Sequence, residues 1–146
     1  MTYPDSIEQK LGFDRLREWL HDACISPLGQ RYVAKIRFSN QHKTIDKLVR
    51  QTAEMKQIYA FGSDFPTQNY LDVTPYLRRA AVEGTLLTQE EFFTIKSSLA
   101  TIRQCLAFFA NQDPETYPIL QEYAQSVRVE RAVTEAIECI IDDRGQ

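Results

Sequence analysis

Leu87-Thr88-Gln89-Glu90-Glu91-Phe92, followed by Ile95, Leu99, Ile102, Leu106 and Phe109 at alternating steps of three and four, sets the architecture of this chain. Thr88 and Glu91 stand at the two positions of a capping box. There the Thr hydroxyl accepts from the Glu N–H and the Glu carboxylate reaches back to the Thr N–H. Leu87 and Phe92 stand at the positions of a hydrophobic staple. A helix therefore begins at Thr88. Its apolar residues form the seam of a helix packed lengthwise against another at a shallow crossing angle.

The same periodicity extends in both directions. Phe13, Leu16, Leu20, Ala23 and Cys24 recur on one helical face, with Asp14, Arg15, Arg17, Glu18 and Asp22 largely on the other. Ser26-Pro27 is a helix start, because Ser accepts from an orphan N–H and Pro has none to leave unpaired at the first position; this second helix runs to about Ile36. Thr44 precedes the stripe Ile45, Leu48, Val49, Thr52, Met55, Ile58 and Tyr59, which Gly62 is placed to end. The stretch from Gly62 to Asp72 has turn residues and no periodicity. Asp72 or Thr74 then caps a short helix through Arg79 that stops near Gly84. After the Thr88 helix, Asp113-Pro114 marks a turn, and Pro118 opens a helix expected to bury Ile119, Leu120, Tyr123, Ala124 and Val127. A last helix places Val133, Ala136, Ile137, Ile140 and Ile141 on one side. The expected fold is all-α, a bundle or array of about six to seven helices with the long ones packed lengthwise.

Composition agrees. The chain has 146 residues, 43% hydrophobic and 25% charged, within the globular range and sufficient for one modest domain without metals or disulfides. Five glycines and six prolines are few for a protein built on tight β-turns. Cys24, Cys105 and Cys139 are odd in number and lack C-x-x-C spacing, so they read as buried thiols in a reducing compartment. No run approaches the roughly 20 apolar residues of a membrane span, and the N-terminal residues do not read as a signal peptide. By elimination the expected location is cytoplasmic. The ending Asp142-Asp143-Arg144-Gly145-Gln146 reads as a cut within a longer protein.

The net charge of −3 is unevenly spread. Ser26 to Ile58 carries a surplus of basic residues and Asn111 to the end a surplus of acids, which fits either a face that steers an anionic partner or simply two solvated helix surfaces. Within the basic region, Lys43, Lys47 and Arg50 form a ridge directed away from the apolar stripe of their helix. With Arg78 and Arg79 they are the candidate nucleic-acid-binding residues, since phosphate contacts are made by such cations. The bland alternative is a solvated face, with Arg79 bridging to an acid on a neighbouring helix. Few aromatics are interleaved with these charges, so base stacking is not indicated; Tyr70 and Tyr76 read as core residues. No glycine lies in a phosphate-cradling loop followed by Lys and Ser or Thr. His21 and His42 stand alone and read as surface residues rather than zinc ligands. Glu90-Glu91 is accounted for by capping, and Asp142-Asp143 by a turn. No catalytic, cofactor or metal residue is expected in the chain.

Three stretches resemble the second bacterial branch of the MutS family, the paralogue carrying a C-terminal Smr endonuclease domain. Leu11-Gly12-Phe13-Asp14-Arg15-Leu16 with Ser26-Pro27-Leu28-Gly29-Gln30 looks like that family's opening two helices. Leu71-Asp72-Val73, Leu77-Arg78-Arg79-Ala80 and Gly84-Thr85-Leu86-Leu87-Thr88 through Glu91 are similar to its middle segment. Ile137 with Ile140-Ile141-Asp142-Asp143-Arg144-Gly145 looks like its Ile-Asp-x-x-Gly turn. Phe38 stands where the family often has Pro, and Glu83 where a second Gly is common.

The resemblance implies that residues 1–146 form an N-terminal helical core, or lever, of a longer homodimeric protein. That protein would bind ATP and magnesium and act on branched or double-stranded DNA, in recombination suppression or mismatch-repair-like processing, or on collided ribosomes. Its ATPase, clamp and Smr nuclease regions would lie elsewhere. Two roles are then open to the chain: a mechanical scaffold between ATPase and clamp, or a direct nucleic-acid- or ribosome-binding module. A third, unrelated class is a helical domain that binds a protein partner through an exposed apolar surface.

Overall fold

The structure, a computed structural model, describes residues 7–61 and 64–140, with Arg131 described by its backbone alone. The described residues form eight α-helices and no strand. The chain divides into two compact units between Phe38 and Ser39.

The first unit holds α1 (Ile7–Lys10), α2 (Phe13–Asp22) and α3 (Pro27–Ala34). α1 is a single turn that periodicity did not reveal. Gly12 follows it at φ 70°, a left-handed position that suits glycine. Ser26 caps α3 as expected, its hydroxyl accepting from the Gly29 N–H at 3.4 Å with Pro27 next in line. Gly29 lies close to the preceding turn: a Cβ there would stand 3.2 Å from Cys24 Sγ, a tight contact. None of the three helices contains a fully buried residue. The polar face expected of α2 is only partly solvated. Arg17 is half-buried, its guanidinium 2.9 Å from the Glu8 carboxylate and 5.1 Å from the centre of the Phe13 ring, while Leu16 and Leu20 are exposed.

The second unit holds α4 (His42–Phe61), α5 (Thr74–Ala80), α6 (Gln89–Ala110), α7 (Pro118–Ser126) and α8 (Arg131–Glu138). α4 starts two residues before the expected Thr44. The N–H groups of Thr44 and Ile45 donate to the Gln41 carbonyl, and the Thr44 hydroxyl bonds the Gln41 side chain rather than capping the helix. The expected end at Gly62 lies outside the described residues, as do Ile141 and the Asp142-Asp143 turn. The Asp72 carboxylate accepts from the Thr74 N–H at 3.1 Å, and Gly84 turns the chain at φ 81°. Both hydrogen bonds of the Thr88–Glu91 capping box are present, and α6 runs unbroken for 22 residues.

The short helix α7 touches both long helices, and the core forms where they meet. Ile58 of α4, Phe109 of α6 and Tyr117 are its buried centre, with Met55, Phe65, Phe108, Leu120 and Ala124 packed around them. Phe65 lies edge-on to Phe108 and Phe109, at 5.2 and 5.9 Å between ring centres.

Two buried polar groups fix α7 in place. Pro118 has no N–H to satisfy, and Tyr117 offers no side-chain cap. The next two N–H groups, of Ile119 and Leu120, donate to the two carboxylate oxygens of Glu54 on α4, at 3.2 and 2.9 Å. The fourth, of Gln121, donates to the Tyr117 carbonyl at 2.9 Å. Every donor of the first turn is thereby paired, and a carboxylate sits where the helix dipole favours it. On the other side the Gln121 side-chain amide donates to the Phe109 carbonyl of α6 at 3.1 Å.

The expected stripes are interior only in part: Met55 and Ile58 of α4 and Phe92, Ile95, Leu99, Leu106 and Phe109 of α6 are buried or half-buried, whereas other members face outward. On α4 the face turned to α7 carries Lys47, Gln51, Glu54, Met55 and Ile58, while Ile45, Leu48, Val49 and Tyr59 are exposed. On α6 the fully buried residues are Ile95, Ser98, Thr101 and Phe109, with Leu99 half-buried and Ile102 exposed. Tyr123 of α7, Val127 just past its end and Val133 of α8 are likewise exposed, whereas Thr134 of α8 is buried. Beside the apolar core, part of the interior is made of hydrogen-bonding side chains, Glu54, Ser98, Thr101, Gln121 and Thr134, which hydropathy does not count as interior.

Glu54→Leu leaves two half-buried N–H groups without their acceptor, and a loss of about 1–3 kcal/mol is expected in urea unfolding. Glu54→Gln, which keeps one acceptor oxygen, is expected to lose less. Equal stability of wild type and Glu54→Leu would show that α7 is not held in this way.

Candidate nucleic-acid interface

The five candidate cations fall into two groups on different helices. Lys43 and Lys47, one turn apart on α4, line a shallow cleft of about 280 Å³ together with Thr44, Leu48 and Tyr123. Lys47 is half-buried there. Its Nζ lies 4.7 Å from the centre of the Tyr123 ring and 4.0 Å from the Glu122 carboxylate. A cation over an aromatic face and beside a carboxylate is already in favourable contact, so Lys47 is not the free member of a ridge. Lys43 and Arg50 are exposed and make no ion pair among the described residues.

Arg78 and Arg79 lie in the last turn of α5, where positive charge suits the helix C-terminus. Arg79 pairs with Glu91 of the α6 capping box, the bridge to a neighbouring acid that the sequence suggested. Arg78 is exposed and makes no ion pair among the described residues. The Thr88 N–H, together with the Arg79 guanidinium, holds the Glu91 carboxyl below the usual carboxylate range. The basic surplus seen between Ser26 and Ile58 is shared by both units. In the first, Arg37 donates to the Ala34 and Ile36 carbonyls at 2.8 and 2.9 Å, and Lys35 lies 5.7 Å from the Tyr32 ring centre.

Glu54 carries more of the structure than the sequence suggested, and Tyr123, expected in the core, instead presents a half-exposed ring to Lys47. A signal for Glu54 was present in Tyr117-Pro118. A helix opened by Pro after a residue with no suitable acceptor needs one from elsewhere in the chain. Tyr70 was expected in the core, and it is half-buried, its hydroxyl donating to the Pro66 carbonyl at 2.6 Å and lying 3.8 Å from Cys105 Sγ. Burial, reinforced by Cys105, pushes the Tyr70 phenol above its ordinary range, and burial raises the Cys105 thiol as well. The three thiols are free but not uniformly buried as expected. Cys24 and Cys105 are half-buried and Cys139, past the end of α8, is exposed.

No group of three or more His, Cys, Asp or Glu among the described residues is arranged to hold a metal ion. His21 and His42 are both exposed. No described helix is long and apolar enough to cross a membrane.

What these residues define is an all-helical segment whose cations are partly engaged within the fold. Comparison with known proteins is more specific. The chain is 29% identical over 138 residues to the Endonuclease MutS2 of Geobacillus sp. (strain WCH70), covering 93% of this chain and 18% of that protein. It is 27% identical over 135 residues to the Endonuclease MutS2 of Alkaliphilus oremlandii, covering 91% and 17%. With the Endonuclease MutS2 of Shouchella clausii it shares 24% over 144 residues, covering 97% and 18%. No protein-family model matches the chain, and no solved structure matches it significantly. The chain is thus similar over nearly all of its length to a segment of MutS2, as the motifs around Pro27, Arg79 and Thr88 implied. It spans less than a fifth of the length of these relatives.

The thiols offer a check on this geometry. Alkylation of the native protein with iodoacetamide near neutral pH should modify Cys139 first and Cys105 last, since a raised, half-buried thiol is seldom the reactive thiolate. Cys105 reacting as fast as Cys139 would place α6 and the Tyr70 loop differently.

Proposed function

We propose that this chain is a helical scaffold segment of a MutS2-type protein, relaying movement between an ATPase and a nucleic-acid clamp located elsewhere in the full-length protein. The observation that carries this reading is the double clamp on α7, Glu54 to one long helix and Gln121 to the other. Directional buried hydrogen bonds make α4, α7 and α6 resist relative sliding, as a relay element must. In this reading the full-length protein is a cytoplasmic homodimer that takes ATP and magnesium. It acts on branched or double-stranded DNA through its ATPase and endonuclease regions, and the present segment contributes no catalytic group.

A second reading, direct contact of this segment with DNA or ribosomal RNA, is favoured by the exposure of Lys43, Arg50 and Arg78. The engagement of Lys47 with Tyr123 and Glu122, and of Arg79 with Glu91, weighs against it.

Fluorescence anisotropy with a labelled four-way junction, titrated at several salt concentrations, separates the two. The scaffold reading expects no measurable binding by the chain at physiological salt, because a few exposed cations on an acidic body attract weakly and are screened. Micromolar binding would overturn it if replacing Lys43, Lys47 and Arg50 by Ala abolished that binding and flattened the log K against log salt slope by roughly 2 to 3.

A further inference from the structure

α4 has two faces, and only one is used within its own unit. Ile45, Leu48 and Val49 recur at helical spacing on the other face and are exposed by 42, 56 and 61%. Leu48 also lines the cleft between α4 and α7, where Lys43 and Lys47 stand beside the half-exposed ring of Tyr123. Further along the same stripe comes Lys56, exposed and without an ion pair among the described residues. The surface is therefore aliphatic, with Lys56 within its stripe and Lys43 and Lys47 at the edge beside α7.

We propose that this face of α4, with the cleft against α7, is a docking site for an amphipathic α-helix with acidic flanks. The inference goes beyond the scaffold reading and does not depend on it. Aliphatic side chains one turn apart match the apolar seam of a second helix, which approaches to about 8–10 Å between axes and buries them. The cations select the flanks. Lys56 lies within the stripe, and covering it without a carboxylate opposite would bury an unpaired charge. Lys43 at the cleft, exposed and without an ion pair among the described residues, asks for the same chemistry.

A second copy of this chain is the poorer occupant. Two α4 faces brought together would oppose Lys56 and the cleft lysines with their own counterparts, and Asp46 is the sole exposed carboxylate on α4 to offset them. Nucleic acid is poorer too, because phosphates gain nothing from Ile45, Leu48 and Val49, and aliphatic side chains offer no stacking platform.

The test uses the full chain and two labelled synthetic helices of about 20 residues with the same leucine seam, one flanked by Glu and one by Lys. The Glu-flanked helix is expected to bind at least about tenfold tighter than the Lys-flanked one. Leu48→Glu combined with Val49→Glu should weaken it by about tenfold or more. Both side chains are largely exposed, so an unchanged melting temperature should accompany that loss. Lys43→Glu with Lys56→Glu supplies an independent arm, expected to abolish the preference for the acidic helix while leaving the fold intact. Failure of the Glu-flanked helix to bind, or equal affinity for both helices, overturns the proposal. So does self-association of the chain in sedimentation that the Leu48/Val49 pair removes, which would make the occupant a second copy. Displacement of the acidic helix by duplex DNA at physiological salt would overturn it in favour of a nucleic-acid surface.

Discussion

The Glu54 carboxylate, accepting from the N–H groups of Ile119 and Leu120, is the contact on which the second unit depends. A nine-residue helix is too short to be stable alone, and α7 begins with a proline and no side-chain cap of its own. Its first turn is completed by a residue of α4. A buried carboxylate is in turn tolerable only with hydrogen bonds on its oxygens, and the helix N-terminus supplies them. Each partner resolves the other's deficit, which is why neither α4 nor α7 can be understood separately.

From this contact the rest of the unit follows in steps. Fixing α7 against α4 brings Tyr117 and Leu120 beside Ile58 and Met55. The Gln121 amide then reaches the Phe109 carbonyl and joins the end of α6, where Phe108, Phe109 and Phe65 close the core edge to face. At the far end of α6 the Thr88–Glu91 box starts the helix and recruits Arg79, linking α5 to it. One ion pair thus ties the short helix to the long one, with a carboxylate that already caps its own N-terminus.

Most helix boundaries were legible because they rest on local chemistry. Ser26-Pro27, Pro118 and Thr88 with Glu91 act over three or four residues, and the structure forms α3, α7 and α6 where they stand. The faces were less legible. Periodicity marked Ile45, Leu48 and Val49 as the inner side of α4, but that helix turns Lys47, Gln51 and Glu54 to α7. Hydropathy counts a glutamate as outside, whereas a glutamate that caps a distant helix belongs inside, and nothing local to Glu54 announces Ile119 and Leu120. Among the candidate cations the same limit applies. The charge of Lys47 could be read from the sequence, but not the Tyr123 ring and Glu122 carboxylate that engage it. For Arg79 the nearby capping box offered a suitable acid, and the bridge was foreseeable.

The orientation of α4 is a consequence of the clamp. If the apolar stripe faced α7, Glu54 would lie on the solvent side and the half-buried Ile119 and Leu120 N–H groups would lose their acceptor, at a cost of about 1–2 kcal/mol each. Turning the helix satisfies both donors and still buries Ile58 completely. The residues it sends outward are Ile45, Leu48 and Val49, which are already about half covered, so that covering the rest by a partner would be worth about 0.7–1.5 kcal/mol apiece. The two sums are comparable. A lone helical unit therefore favours the clamp, because it is available within the chain. A partner helix laid on the outer face adds its contribution without undoing the clamp, since the two faces of α4 do not compete. Rigidity toward α7 and openness on the other side are in this way products of one choice of helix orientation, and a relay element joined to other helices would need both.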